Sequence, residues 1–81
     1  MTIAESNSPV AEGIALLISE NGIRQSFVAK KAGYSDQMLS DMLNGRKVIR
    51  ACDIPRIASA LSVTTNDIYE AGLRAIGEVT S

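Results

Sequence analysis

Short stretches of helical periodicity, each closed by residues that end helices, dominate the sequence. In the first stretch, four apolar residues recur on one helix face: Val10, Ile14, Leu17 and Ile18. Glycine closes this stretch and the next two, at Asn21-Gly22, Gly33 and Asn44-Gly45. Further helix starts are indicated near Asp53 and Thr64, and no stretch alternates apolar and polar residues as a strand does. The pattern predicts an all-α fold with five helices.

The length of 81 residues fits one domain. We expect a compact five-helix domain over residues 8–71. Residues 1–7 are predicted to form a disordered tail. Residues 72–81 are predicted to be a C-terminal extension, because Gly72 and Gly77 disfavour a long independent helix.

The inventory of reactive side chains excludes most enzyme classes. The chain has no histidine and one cysteine, so imidazole-dependent catalysis, a His or paired-thiolate metal site and a disulfide framework are not expected. No activated base or glycine-rich phosphate loop is recognisable, and we predict neither a catalytic site nor a cofactor. The longest run without charge, Ile57 to Asn66, is too short for a membrane span. Cysteine usage fits a reducing cytoplasm.

Charge is unevenly distributed along the chain. The formal net charge is −1, which by itself does not suggest a nucleic-acid partner. Between Arg24 and Arg56, however, seven basic residues face three acidic ones, a net charge of +4. The remaining residues carry one basic and six acidic side chains. A basic centre between acidic ends is compatible with an anionic partner and also with ordinary solvated faces.

The third predicted helix has two distinct faces at 100° per residue. One face carries short hydrogen-bonding groups, from Asp36, Gln37, Ser40, Asp41 and Asn44. The opposite face is apolar, with Met38, Leu39, Met42 and Leu43. Taken in isolation, this stripe fits an ordinary amphipathic helix. The helix before it, however, is separated from it only by a glycine-containing turn, which is the arrangement of a helix-turn-helix. In that arrangement the structural positions would be Ala29, Gly33, Leu39 and Met42.

The central segment resembles the lambda-type repressor and Cro family, also called XRE-like helix-turn-helix proteins. The resemblance lies in Gln25-Ser26-Phe27-Val28-Ala29-Lys30-Lys31-Ala32-Gly33-Tyr34-Ser35 and in Leu39-Ser40-Asp41-Met42-Leu43-Asn44-Gly45-Arg46. It extends over roughly residues 10–70. The resemblance implies double-stranded DNA as the partner and a recognition helix that enters the major groove.

Roles for individual residues follow from this resemblance. Base-reading positions would be Asp36, Gln37, Ser40 and Asp41. Phosphate-contacting positions would be Gln25, Ser35, Asn44, Arg46 and Lys47. The residue chemistry agrees for most of them, since glutamine can pair with adenine, aspartate can accept from the cytosine amino group, and basic loops suit phosphate.

Several residues depart from the family pattern. Asp36 and Asp41 place negative charge on the face assigned to DNA, which lowers nonspecific affinity or sharpens selection for cytosine. Phe27 either packs against the first helix or forms an exposed protein contact. Tyr34 either touches the DNA backbone or is simply exposed. Cys52 is expected to be partly buried.

The predicted function is that of a transcriptional regulator, a repressor of phage or bacterial origin that binds an inverted-repeat operator as a homodimer. Apolar residues near the C-terminus at three-residue spacing, Leu73, Ile76 and Val79, are the predicted dimer contact. The alternative is an antitoxin, or a protein-interaction adaptor, that uses the same fold to hold a toxin or another protein.

Overall fold

A computed structural model describes residues 2–80, without the side chains of residues 78–80. Six helices and no strand are found in this range: α1 (Ile3–Asn7), α2 (Val10–Glu20), α3 (Gln25–Ala32), α4 (Asp36–Leu43), α5 (Asp53–Leu61) and α6 (Thr65–Thr80). The all-α prediction is confirmed. The predicted count of five helices is corrected to six, because a helix precedes the first one expected.

The core lies where α2, α5 and α6 meet the pair formed by α3 and α4. Helix α6 packs mainly on α2, while α3 packs on α5 and α4. The largest fully buried apolar side chains come from five different helices: Ile14, Val28, Leu39, Met42, Ile57 and Ile68. Each of these five helices therefore contributes one apolar stripe to a shared core and leaves its other face to solvent.

Helix α1 replaces the disordered tail expected at residues 1–7. Its first turn is closed by a reciprocal cap, in which the Glu5 backbone N–H donates to Thr2 Oγ1 at 3.1 Å and the Thr2 backbone N–H donates to Glu5 Oε1 at 3.3 Å. At its end, Asn7 is buried, with hydrogen bonds to residues more than 30 positions away. Few apolar residues occur here, so periodicity gave no signal. The helix is held by polar contacts instead.

Helix α6 continues through the segment expected to be a separate extension. A capping pair opens it, since the Thr64 backbone N–H donates to Asp67 Oδ2 at 2.9 Å and the Asp67 backbone N–H donates to Thr64 Oγ1 at 3.0 Å. Gly72 is buried where α6 crosses the start of α2, and a Cβ there would overlap the Pro9 carbonyl oxygen. The glycine thus permits a close helix crossing and does not interrupt the helix. Helix α6 therefore runs without interruption across the boundary predicted between residues 71 and 72.

Candidate nucleic-acid interface

Helices α3 and α4 form a helix-turn-helix through a three-residue turn. Gly33 has φ of 86° and ψ of 24°, a left-handed conformation that glycine adopts without strain. The Tyr34 backbone N–H donates to the Ala29 carbonyl at 2.8 Å, which gives a backbone carbonyl in the last turn of α3 a hydrogen-bond partner. Ser35 then caps α4, because its Oγ accepts from the Met38 backbone N–H at 3.1 Å.

Buried side chains fix the angle between the two helices. Ala29 on α3 and Leu39 and Met42 on α4 are 0% exposed. The small side chain of Ala29 allows α3 to approach its neighbours closely, whereas Leu39 and Met42 attach α4 to the rest of the core. The orientation of α4 is therefore determined by packing and does not depend on its polar face.

The polar face of α4 is hydrogen-bonded within itself. Gln37 Nε2 donates to Asp41 Oδ1 at 2.9 Å, and the Arg46 guanidinium lies 3.8 Å from the same oxygen. Farther along, Asn44 Nδ2 donates to the Ser40 carbonyl at 2.8 Å and to Ser40 Oγ at 3.2 Å. Asp36 and Gln37 are exposed, and Ser40 and Asp41 are half-buried. The carboxylate of Asp41 thus accepts a hydrogen bond from Gln37, and the nearby Arg46 partly offsets its negative charge.

The segment Gly45–Arg50, here called the basic loop, follows α4 directly. Gly45 has φ of 76°, and the next two backbone N–H groups, of Arg46 and Lys47, donate to the Asp41 carbonyl at 2.8 and 3.1 Å. The side chain of Arg46 is 70% exposed, and Lys47 is exposed. The basic loop therefore presents two cations beside the polar face of α4.

The remaining predicted phosphate contacts lie at helix starts. Gln25 is the first residue of α3 and is exposed. Ser35 is exposed at the N-terminus of α4. A helix N-terminus presents unpaired backbone N–H groups and the positive end of the helix dipole, both of which favour an anion.

A family model described as a Cro/C1-type HTH DNA-binding domain matches residues 14–71. The chain belongs to the Cro/C1-type helix-turn-helix family. The resemblance seen in the sequence is thereby confirmed, and the chain carries a DNA-binding domain of this type. The matched range contains α3, α4 and the basic loop entirely, whereas α1 and the last part of α6 lie outside it. A search of the curated proteins finds no match.

Two further findings concern the described part of the Cro/C1-type chain. No helix there has both the length and the apolar character to cross a bilayer. No group of three or more His, Cys, Asp or Glu side chains there is arranged to hold a metal ion.

Tyr34 in the turn of the Cro/C1-type domain is buried, so both predicted placements, on the DNA backbone or exposed, are wrong. Its hydroxyl donates to Asp53 Oδ1 at 2.6 Å, and the Arg56 guanidinium lies 5.0 Å from the ring centroid. Asp53 Oδ2 accepts from the Arg50 backbone N–H at 2.9 Å. The turn, the start of α5 and the end of the basic loop are therefore connected through one buried carboxylate.

This connection shifts two pKa values in opposite directions. Burial, followed by the hydrogen bond to Asp53, raises the pKa of Tyr34 to about 12. Burial by itself would raise the pKa of Asp53, but the hydrogen bonds from Tyr34 and Arg50 outweigh it and hold that pKa below its usual value. No local sequence signal could have found this pair, because the two residues lie 19 positions apart. Cys52, expected to be partly buried, is exposed.

An apolar strip runs along the exposed side of α6. It consists of Tyr69, Leu73 and Ile76, which are 41%, 62% and 37% exposed. Leu73 and Ile76 are two of the three predicted dimer contacts, and the side chain of the third, Val79, lies outside the described residues. Phe27 on α3 is also exposed, with Lys31 Nζ 5.7 Å from the centroid of its ring.

Proposed function

We propose that this protein is a sequence-specific transcriptional regulator that inserts α4 into the DNA major groove. The observation that carries the proposal is the division of α4 into an apolar side packed on the core and an accessible polar side, within a helix-turn-helix of a DNA-binding family. Packing holds the helix, so its polar side chains are available for base edges.

The proposed contacts fall into two classes. Base edges are read by Asp36, Gln37, Ser40 and Asp41. Phosphates are bound by Gln25, Ser35, Asn44, Arg46 and Lys47. The internal hydrogen bonds of the α4 face would be exchanged for contacts with bases, with Gln37 suited to adenine and the aspartates to the cytosine amino group.

Regulation would follow from occupancy of a promoter by a homodimer. One helix-turn-helix reads few base pairs, so two half-sites in an inverted repeat give the specificity that a repressor needs. The exposed apolar strip on α6 supports a two-fold dimer through Leu73 and Ile76. A repressor of phage or bacterial origin that acts in the cytoplasm is the form of this function we favour.

Selection from a random pool of double-stranded oligonucleotides tests the proposal. We expect enrichment of an inverted repeat whose half-sites are centred one helical turn apart, about 34–36 Å. Gln37→Ala should alter the enriched sequence. Asn66→Ala, which changes an exposed amide on α6 that pairs with Glu70, should leave it unchanged. If neither the wild-type protein nor the Asn66→Ala variant enriches any sequence from the pool, the proposal is contradicted.

A second candidate function is that of an antitoxin or protein-interaction adaptor. The exposed Phe27 and the apolar strip favour this function, as do the acidic residues outside the central segment. If the pool selection fails, this candidate replaces the first.

A further inference from the structure

Asn7 directs both N–H groups and the oxygen of its side-chain amide to the end of the recognition helix and to the basic loop. The residue is 1% exposed. Its Nδ2 donates to the Met42 carbonyl and to the Lys47 carbonyl, both at 2.9 Å. Its Oδ1 accepts from the Ile49 backbone N–H at 2.8 Å. One side chain of α1 thus binds both the end of α4 and two points of the basic loop.

A second contact from α1 reaches the same place. The chain turns into the basic loop at Gly45, and a Cβ at this glycine would lie 2.9 Å from the Cβ of Ala4. Helix α1 therefore lies directly against the start of the basic loop. From the other side, the Asp41 carbonyl holds the backbone N–H groups of Arg46 and Lys47. Arg46 and Lys47 therefore lie in a segment that is held by α4 and by α1.

These contacts with α4 and α1 fix which side chains of the basic loop face solvent. Arg46, Lys47 and Val48 are exposed, and Ile49 is buried. Because Asn7 binds the carbonyl of Lys47 and the N–H of Ile49, it determines which residue of the loop is the first to enter the core. Without these bonds, the Met42 carbonyl and the Ile49 N–H, which are buried, and the part-buried Lys47 carbonyl would each lose a partner. The loop would then be free to adopt other conformations.

We propose that Asn7 is a positioning residue for DNA binding, which holds the basic loop in the conformation that brings Arg46 and Lys47 to the DNA backbone. The inference rests on the proposed function, in which those two cations contact phosphates. It extends the binding machinery to α1, which lies outside the matched family range. A loop that is already ordered before binding loses less conformational entropy on the DNA, so its phosphate contacts contribute more affinity.

A double-mutant cycle between Asn7→Ala and Lys47→Gln tests the inference. Affinity is measured by fluorescence anisotropy on the selected operator and on a scrambled duplex, at several salt concentrations. In the wild-type background, Lys47→Gln should weaken binding about five- to tenfold and reduce the slope of log affinity against log salt by about one. In the Asn7→Ala background, the same change should weaken binding by less than about twofold, because the lysine is no longer held at the phosphate.

The control is Asn21→Ala. Asn21 also uses Nδ2 to bind a helix-end carbonyl, that of Leu17, at 2.8 Å, but this bond lies at the end of α2 and joins residues of that helix end only. The effect of Lys47→Gln should keep its full size in this background. Thermal unfolding followed by circular dichroism verifies that each variant is folded. If Asn7→Ala is not, Thr2→Ala takes its place, since it removes the cap of α1 at an exposed residue.

The outcomes separate the two proposals. Equal effects of Lys47→Gln with and without Asn7 would overturn the positioning role and leave the proposed DNA contact in place. No effect of Lys47→Gln and Arg46→Gln in the wild-type background would overturn both the positioning role and the phosphate contacts proposed for these two residues. A reduced effect in the Asn7→Ala background, together with an undiminished effect in the Asn21→Ala background, supports the inference.

Discussion

Gln37 is the side chain on α4 whose change should most directly alter sequence preference. It is exposed and shares its amide with Asp41, so a bidentate contact with adenine would replace one internal hydrogen bond with two intermolecular ones. We expect Gln37→Ala to cost about 1–3 kcal/mol of binding free energy and to relax the preference at one base pair of each half-site. Competition binding against operators mutated at single positions measures both quantities.

Gln25 gives the contrasting case. It lies at the exposed start of α3, where a contact with phosphate carries no sequence information. Gln25→Ala should therefore weaken binding to all duplexes by a similar factor. The assignment of α4 as the recognition helix would be contradicted if Gln37→Ala changed neither the affinity nor the preferred sequence.

Tyr34 is the side chain through which alkaline pH should act on stability. Its hydroxyl donates to buried Asp53, and Tyr34→Phe removes this bond at a cost of about 1–3 kcal/mol in the free energy of unfolding at neutral pH. The folded pKa of Tyr34 is about 12 against an ordinary 10.0, so the unfolded chain loses its proton first. The stabilisation is complete below pH 10 and is lost as the pH rises toward 12. Urea unfolding of both proteins at neutral and alkaline pH should show their difference shrinking over this interval.

Tyr69→Phe is the matched control, since Tyr69 is exposed on α6, and it should leave the free energy of unfolding at neutral pH unchanged. At acid pH the stability depends on pH in the opposite direction, through the carboxylate of Asp53. The pKa of Asp53 is lowered from an ordinary 3.8, so its contribution is present above about pH 4 and is lost as the pH falls through the lower folded value. A wild type and a Tyr34→Phe variant with identical pH profiles would contradict the role assigned to this pair.

Residue types at local spacing were sufficient to predict the two faces of α4, the turn at Gly33 and the helix start near Thr64. Each of these depends on residues within about one or two helical turns of each other, so periodicity and capping rules apply. Asn7 and Asp53 could not be predicted in this way. Their partners lie up to 42 and 19 positions away, and the polar side chains are buried only because the fold brings those partners to them.

Among the helices, the crossing of α2 and α6 requires glycine at two positions. A Cβ at Gly72 would overlap the Pro9 carbonyl oxygen, and one at Gly13 would overlap the Ile68 carbonyl oxygen. Gly72→Ala should therefore force the helices apart and cost several kcal/mol of unfolding free energy. A Cβ at Gly77, in the same helix, would meet no atom within 4 Å. Gly77→Ala should be neutral or stabilise by up to about 1 kcal/mol, since alanine favours helix.

Thermal or urea unfolding of the two alanine variants measures the contrast. Similar stability of both variants would show that α6 does not pass α2 as closely as described. The same contrast explains why the end of α6 was mispredicted. Glycine lowers helix propensity, but propensity is outweighed when a missing side chain allows two helices to bury backbone against backbone.

For the whole molecule, the main prediction is a homodimer through α6. Leu73 and Ile76 form an exposed apolar strip with Tyr69, and a charge placed there should oppose burial against a second copy. Leu73→Glu should shift the protein from dimer to monomer in light scattering over a range of concentrations. It should also weaken operator binding more than single half-site binding. Deletion of residues 72–81 is a poorer test, because Gly72 packs on Pro9.

Val48→Glu is the control for this prediction, because it places the same charge on an exposed apolar residue of the basic loop, away from α6. It should leave the mass in solution unchanged. A wild-type chain that remains monomeric at high concentration and on operator DNA would contradict the dimer. A Leu73→Glu variant that is still dimeric would move the interface to another surface.

The backbone-to-backbone crossing of α2 and α6 has a consequence for control of the protein. With no space at Gly13 or Gly72, α6 can neither slide nor turn against α2, because packed interiors are not continuously deformable. A partner that binds the strip on α6 therefore cannot change the position of α4 by moving α6. Control through this surface would act by assembly and not by a change of shape. The concentration of the chain relative to its dimer dissociation constant, and hence its rates of synthesis and removal, would set how much DNA is occupied.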